Sequence, residues 1–255
     1  MKHSFLDKYS DLGSIIHRLD PRVKLIFFFV LILVIVSTPP QELVKFSGYF
    51  LILLILVLLS RIPLPFVFAR SLVIIPFVLL TAIFIPFFKG GEVAGSYNFL
   101  TLHLTISHKG ILIFQNILIK SWLSVLSLTI LTSTTKFSSL LKALEILKIP
   151  RVMILIASFF YRYMFLLVDE LMRIKNARDS RSFKKNPVYQ FKVIGYMIGE
   201  LFIRTYERAE RIYLAMLSRG FNGTIYTLES FKINRMDLFF SGCLMTILFL
   251  IRLWR

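Results

Sequence analysis

The chain has 255 residues, of which 56% are hydrophobic and 26 are Phe, and its formal net charge is +17. So much apolar content exceeds what a soluble core of this size needs. The cations lie between apolar runs rather than on a polar domain, which excludes a soluble enzyme and a nucleic-acid binder and points to a basic membrane protein beside an anionic bilayer face.

The first 24 residues are polar, and the first apolar run ends at Thr38-Pro39-Pro40 with no A-x-A-like site, so no cleaved leader is expected. His3 has the chain position at which an amine, two amides and an imidazole can bind nickel or copper; chance places a histidine there readily. Apolar stretches follow at 23–37, 43–60, 72–88 and 111–131, and another closes the chain at 238–254. About 20 helical residues cross the hydrocarbon, so flanking residues such as Pro39 and Val67 must extend the first and third runs. Pro76 and Pro86 should kink the third. Lys120, in the middle of the fourth, is costly in lipid and should face protein or a wet cavity. Cys243 is the single cysteine, which excludes an internal disulfide.

Cations fix the expected direction of the spans. Arg18, Arg22 and Lys24 precede the first, Arg61 and Arg70 separate the second from the third, and Lys136, Lys142, Lys148 and Arg151 follow the fourth. The opposite loops hold only Glu42 with Lys45, and Lys89, Glu92 and Lys109. The N-terminus is therefore expected in the cytoplasm. A sixth apolar stretch, 152–168, carries Arg162 at its centre and Asp169-Glu170 beyond it. Were it to cross, the most cationic segment, 173–235, would lie outside; it is expected at the inner interface, leaving five crossings. The last then runs outward, with Arg252 and Arg255 snorkelling. The expected fold class is an all-α integral membrane protein of about five transmembrane helices plus long amphipathic cytoplasmic helices. Its parts are residues 1–133 with spans one to four, a cytoplasmic region 134–235, and a final span in 236–255.

The cytoplasmic region reads as three helices: 137–147, stopped by Pro150, then 153–181 and 188–219. On the last, Ile194, Ile198, Leu201/Phe202, Ala209, Ile212 and Met216 form one apolar stripe. Glu200/Arg204 and Glu207/Arg211 are i,i+4 pairs worth a few tenths of a kcal/mol each. Gly220 suits a left-handed C′ position. Ser180-Arg181-Ser182-Phe183 and Ser218-Arg219-Gly220-Phe221 end the two longer helices alike. Either each arginine merely caps its helix against the dipole, or the two are equivalent plugs for two equivalent sockets on a partner.

Enzyme chemistry finds no support. The stretch from Gly90 to Gly95-Ser96 has phosphate-loop spacing without the lysine of that motif. His103 and His108 are two histidines of unknown geometry, weak evidence for a metal. A lipid-modifying membrane enzyme would need acidic or His-rich helix ends facing the membrane, where this chain offers Asp169-Glu170. A channel or self-contained carrier would need polar residues along several spans.

The stretch from Ser14 through His17-Arg18-Leu19-Asp20-Pro21-Arg22-Val23-Lys24-Leu25 resembles a known family, the transmembrane T component of energy-coupling factor transporters, which import vitamins and transition metals. So do Pro150, Arg162-Tyr163 through Asp169-Glu170, and Glu207-Arg208-Ala209-Glu210 through Ala215-Met216-Leu217-Ser218-Arg219-Gly220-Phe221. The family carries two Ala-Arg-Gly signatures. The second reads Ser218-Arg219-Gly220 here; the first reads Ser180-Arg181-Ser182, keeping only the arginine, with Ala177-Arg178-Asp179 as a rival placement. The long basic stretch and the Arg-Tyr pair resemble the cobalt and nickel branch more than the vitamin branch.

The resemblance implies two cytoplasmic ATPase subunits docked on Arg181 and Arg219, with Ser180, Ser182, Ser218, Gly220, Phe183 and Phe221 around them. It implies coupling roles for Arg162, Asp169, Glu170, Ala177, Ala209, Ala215 and Met216. A separate substrate-binding membrane S component would choose the cargo, and ATP and magnesium would bind the partners, with no cofactor on this chain. The implied location is a bacterial or archaeal cytoplasmic membrane.

Overall fold

The computed structural model describes residues 9–10, 12–83, 85, 93–99, 102–181, 186–223 and 235–253. A single turn, α1 (Ile15–Arg18), leads into α2 (Pro21–Ser37). Asp20 starts that helix by accepting the Arg22 N–H at 2.9 Å, and Pro21 occupies a first-turn position where its missing N–H costs nothing. Next come α3 (Leu43–Ser60), α4 (Leu64–Leu72) and α5 (Ile75–Ala82). Strands β1 (Val93–Phe99) and β2 (Leu102–Ser107) pair as an antiparallel hairpin and lead into α6 (His108–Thr134). The remaining helices are α7 (Phe137–Ile146), α8 (Arg151–Asp179), α9 (Pro187–Leu217) and α10 (Arg235–Leu253).

The molecule is an all-α membrane protein, with the hairpin a short excursion between two of its helices. By length and composition Leu64–Ala82, Gly110–Thr134 and Arg151–Asp179 could each cross a membrane, and Val44–Ser60 is a shorter apolar helix. The third expected run needs correction. It begins at Leu64 rather than residue 72, and it breaks between Leu72 and Ile75. Pro76 explains the break: it offers no N–H, and its ring collides with the carbonyl four residues back, that of Leu72. Pro86 and Lys89 lie outside the described residues, as do His3 and Gly90. Gly95 and Ser96 lie in β1, opposite Ile106 and Thr105, which is strand pairing and not a phosphate-binding turn before a helix. His103 stands opposite Asn98 in the hairpin, and His108 begins α6. Among the described residues no three His, Cys, Asp or Glu gather as a metal site.

The chain divides into two compact units, Leu144–Ser230 and, with one break, Ser4–Ala143 plus Phe231–Arg255. In the second, α2 packs on α6 and α10, and α3 on α6 and α10. Phe28, Leu31 and Ile35 of α2, Tyr49, Leu53 and Leu56 of α3, and Leu123, Leu126 and Ile130 of α6 are all at most 2% exposed. Their opposite faces stay apolar and uncovered (Phe29, Leu33, Leu51, Leu58), as helices in hydrocarbon require. Several polar atoms within this core are matched, while Asn116 Oδ1 and Ser127 Oγ of α6 are buried without a hydrogen-bond partner among the described residues. Tyr49, wholly buried, places its hydroxyl 3.3 Å from Thr38 Oγ1. Trp122 donates to Ser71 Oγ at 3.2 Å and stacks on Phe50 and Phe68. Lys120 finds protein: its ammonium donates at 2.7 Å to the Val36 carbonyl, one of the unpaired acceptors in the last turn of α2. Close approach is built in where α3 crosses α10, since a Cβ on Gly48 would stand 3.3 Å from Ile251. Lys24, one of the cations that set the expected direction of the first span, is 4% exposed.

Candidate functional site

In the other unit α8 packs on α9, and the apolar residues of this pair are barely covered: α9 has no buried residue and α8 has only Ile154. Residue pattern explains the pairing. The turns from Phe159 to Leu167 and from Phe202 to Met216 put aromatic and aliphatic groups three and four apart, and these line a groove of about 410 Å³. Ala209 and Met216, expected in coupling, lie in that groove with Tyr163, Leu166 and Ile212. Elsewhere on the expected α9 stripe Leu201 is half-buried and Ile198 is 60% exposed, and Phe202, which lines the groove, is 70% exposed.

Ion pairs lace the two helices. Arg204 donates to Glu200 at 2.7 Å, as the i,i+4 spacing requires, and also to Glu170 of α8 at 2.8 Å. The acidic pair's second member thus does what its sequence neighbourhood could not disclose, because its partner is 34 positions away. Both carboxylates hold the exposed Arg204 guanidinium above its ordinary pKa, Glu200 more than Glu170. Arg211 lies 3.8 Å from Glu207. Asp169 is half-buried beside Glu170, and Arg162 is exposed with its guanidinium 5.8 Å from the Tyr163 ring.

The ends of α8 and α9 have the same local structure. Ser180 Oγ donates to the Ala177 carbonyl at 3.0 Å, and Ser218 Oγ donates to the Ala215 carbonyl at 3.0 Å. The Ser180 N–H reaches Asn176 and the Ser218 N–H reaches Leu214, each four residues back. The Arg181 and Arg219 N–H groups then tighten to the carbonyls three back, those of Arg178 and Met216. Ala177 and Ala215 therefore serve as the acceptors that lock each serine onto its own last turn, and each following arginine leaves from the same point. Arg181 and Arg219 are exposed, and among the described residues neither has an ion-pair partner. Arg178, the rival position, is bound by its neighbour: two of its nitrogens reach Asp179 Oδ1 at 2.9 and 2.6 Å.

Beyond those turns the ends diverge. Gly220 takes φ +79°, and the Phe221 and Gly220 N–H groups return to the Met216 and Leu217 carbonyls, a Schellman closure that an L side chain at Gly220 would strain. Ser182 and Phe183 lie outside the described residues.

A bundle of apolar helices that continues into two long, basic-ended helices with an uncovered apolar groove defines a membrane subunit built to contact other proteins. Residues 13–228 match the CbiQ family, whose description is cobalt transport protein. The chain is 32% identical to the energy-coupling factor transporter transmembrane protein EcfT of Streptococcus thermophilus, covering 88% of this chain and 87% of that one. With EcfT of Bacillus subtilis it shares 29% identity over 88% of this chain and 86% of the relative. An uncharacterized protein of Methanocaldococcus jannaschii is 30% identical over 92% of this chain and 81% of its own. The chain belongs to the CbiQ family and is a T component of the energy-coupling factor type, a membrane subunit with a role in transport.

Proposed function

We propose that this chain couples two cytoplasmic ATPase subunits to a separate substrate-binding membrane subunit, for uptake of cobalt or nickel. The observation that carries this reading is the pair of matching helix ends at Ser180-Arg181 and Ser218-Arg219, each presenting an exposed arginine with no ion-pair partner among the described residues. Two equal sockets need two equal plugs. Arginine suits the task because its planar, permanently charged fork can pair two acceptors at once. In α9, 31 residues long, the displacement would be carried over roughly 45 Å at about 1.5 Å per residue. Closure of the ATPases on ATP and magnesium, both bound by the partners, would draw the two arginine ends together. The helices would then shift the surface on which the substrate-binding subunit rests.

The loop charges support five crossings in a bacterial or archaeal cytoplasmic membrane, with the N-terminus and the α7–α9 region inside. The resemblance to energy-coupling factor T components, which serve vitamins as well as metals, leaves a second reading of the cargo, a vitamin, with the coupling role unchanged. Co-expression with candidate ATPases, pull-down of the complex, and uptake of labelled cobalt, nickel or a vitamin test both. A complex that assembles as well with Arg181→Ala/Arg219→Ala as with the native chain would refute the docking role.

A further inference from the structure

The bundle contains a buried ionic cluster for which the coupling role so far has no use. Lys24 is 4% exposed, Asp20 6% and Asp237 5%. The Lys24 ammonium donates to the Thr134 carbonyl at 3.1 Å and to the His17 carbonyl at 3.4 Å. Asp20 and Asp237 are its two charge partners. His17 is itself held on both sides, with Nδ1 2.6 Å from Ser14 Oγ and Nε2 2.8 Å from the Tyr9 carbonyl. The Tyr9 ring lies 4.5 Å from that of Phe66 in α4. A continuous chain of contacts thus runs from α4 through the N-terminal segment to the start of α2.

Position gives the cluster its significance. The chain leaves the bundle between Ala143 and Leu144, within the short helix that follows Thr134, the last residue of α6; it re-enters the bundle at Phe231, shortly before Arg235–Leu253, whose first turn holds Asp237. Those are the only two covalent links between Leu144–Ser230 and the following and preceding parts of the bundle. Lys24 binds the end of α6, one short helix before the first link, and feels the buried charge of Asp237 in the first turn of α10, just after the second. A lone buried ammonium would be expensive, so these two ends and Lys24 stabilise one another or fail together.

We infer that Lys24 is a positioning residue for transport: with Asp20 and Asp237 it fixes the two roots of the coupling helices to the first span, so that their movement is passed to the bundle. This rests on the coupling role proposed above. A loose root would let the helices move under ATP turnover without moving the bundle, and transport would fall while hydrolysis continued.

The test uses the complete reconstituted complex and measures ATP hydrolysis and uptake on the same vesicles. Native complex first establishes that uptake requires ATP; if it does not, the coupling role itself has failed, and the inference with it. Lys24→Met and Asp237→Asn are each expected to assemble with the ATPases and hydrolyse ATP near the native rate. Uptake per ATP should fall by roughly 2- to 30-fold, the span of coupling changes caused away from both sites. Lys24→Arg, which keeps the charge and donors, should restore most of the ratio. Should Lys24→Met fail to insert, Asp237→Asn carries the test alone, because it leaves the Lys24–Thr134 bond in place. An unchanged ratio, or hydrolysis and uptake lost in parallel with assembled complex in every variant, would overturn the inference and leave the cluster a fold anchor.

Discussion

Arg181 and Arg219 differ from Arg178 and Arg204 in what surrounds them. Arg178, three residues before Arg181, spends its donors on Asp179, and Arg204 divides its own between Glu170 and Glu200. An arginine with no ion-pair partner among the described residues has its fork free to serve another protein. Truncating either to Ala should weaken ATPase capture by about 1.5–3 kcal/mol, more if the partner's acceptors stay buried and unpaired. The Lys variants should recover part of that, since charge survives and the fork does not. Arg178→Ala should leave capture near native, and quantitative pull-down at matched expression reads all of these. Arg219 was legible in the sequence because Gly220 marks the helix end beside it. Arg181 was less so, lacking that glycine; its equivalence rests on a serine-to-alanine-carbonyl bond that only coordinates reveal. Lys24 was counted only among the cations before the first span; its burial was not legible, because Thr134 and Asp237 are far along the chain and no local pattern announces them.

At the scale of elements, turn chemistry governs how the coupling helices stop. Gly220→Ala meets open space, so its whole cost is the positive φ, about 1–2 kcal/mol for a left-handed non-glycine residue. The expected result is faster amide exchange at Leu217–Phe221 with no change in the α8–α9 pairing, and weaker docking on the Arg219 side than on the Arg181 side. Equal exchange in the variant and the native chain would show the closure to be dispensable. Helix limits were readable to within about two residues at α8 and α9, because Pro150, Pro187 and Gly220 punctuate them. The disturbance at Pro76 was legible, since a proline inside an apolar run marks a kink; that it separates two helices, with the first beginning at Leu64, was not. The hairpin was missed altogether; its alternation lay in a stretch read only as an external loop.

For the molecule as a whole, direction across the bilayer follows from charge. A single cysteine placed at Lys192 of α9, in a Cys243→Ser background, should resist an impermeant thiol reagent in intact cells and react after permeabilisation. Labelling from outside would mean that Arg151–Asp179, which has the length and composition to cross, does cross. Hydropathy could settle neither possibility for that helix, since a membrane span and an apolar docking helix have the same composition. The same ambiguity explains why the outward faces of α2 and α3 and the bare face of α9 look alike in sequence.

The placement of Asp237 in the last helix also sets the order in which the protein can be completed at the ribosome. The first span enters the membrane carrying Lys24, and its second acidic partner is not made until some two hundred residues later. Gly48 likewise waits for Ile251. Until α10 arrives, a nascent chain holds an incompletely neutralised ammonium and an open seam along α2 and α3, features that membrane quality control can recognise. A chain truncated after Phe221 retains both arginine ends and the four earlier expected spans, yet it should be degraded several-fold faster than the full chain in pulse-chase. Supplying residues 224–255 as a separate membrane peptide should slow that loss. That outcome would assign to α10 the packing that keeps the earlier spans in the membrane.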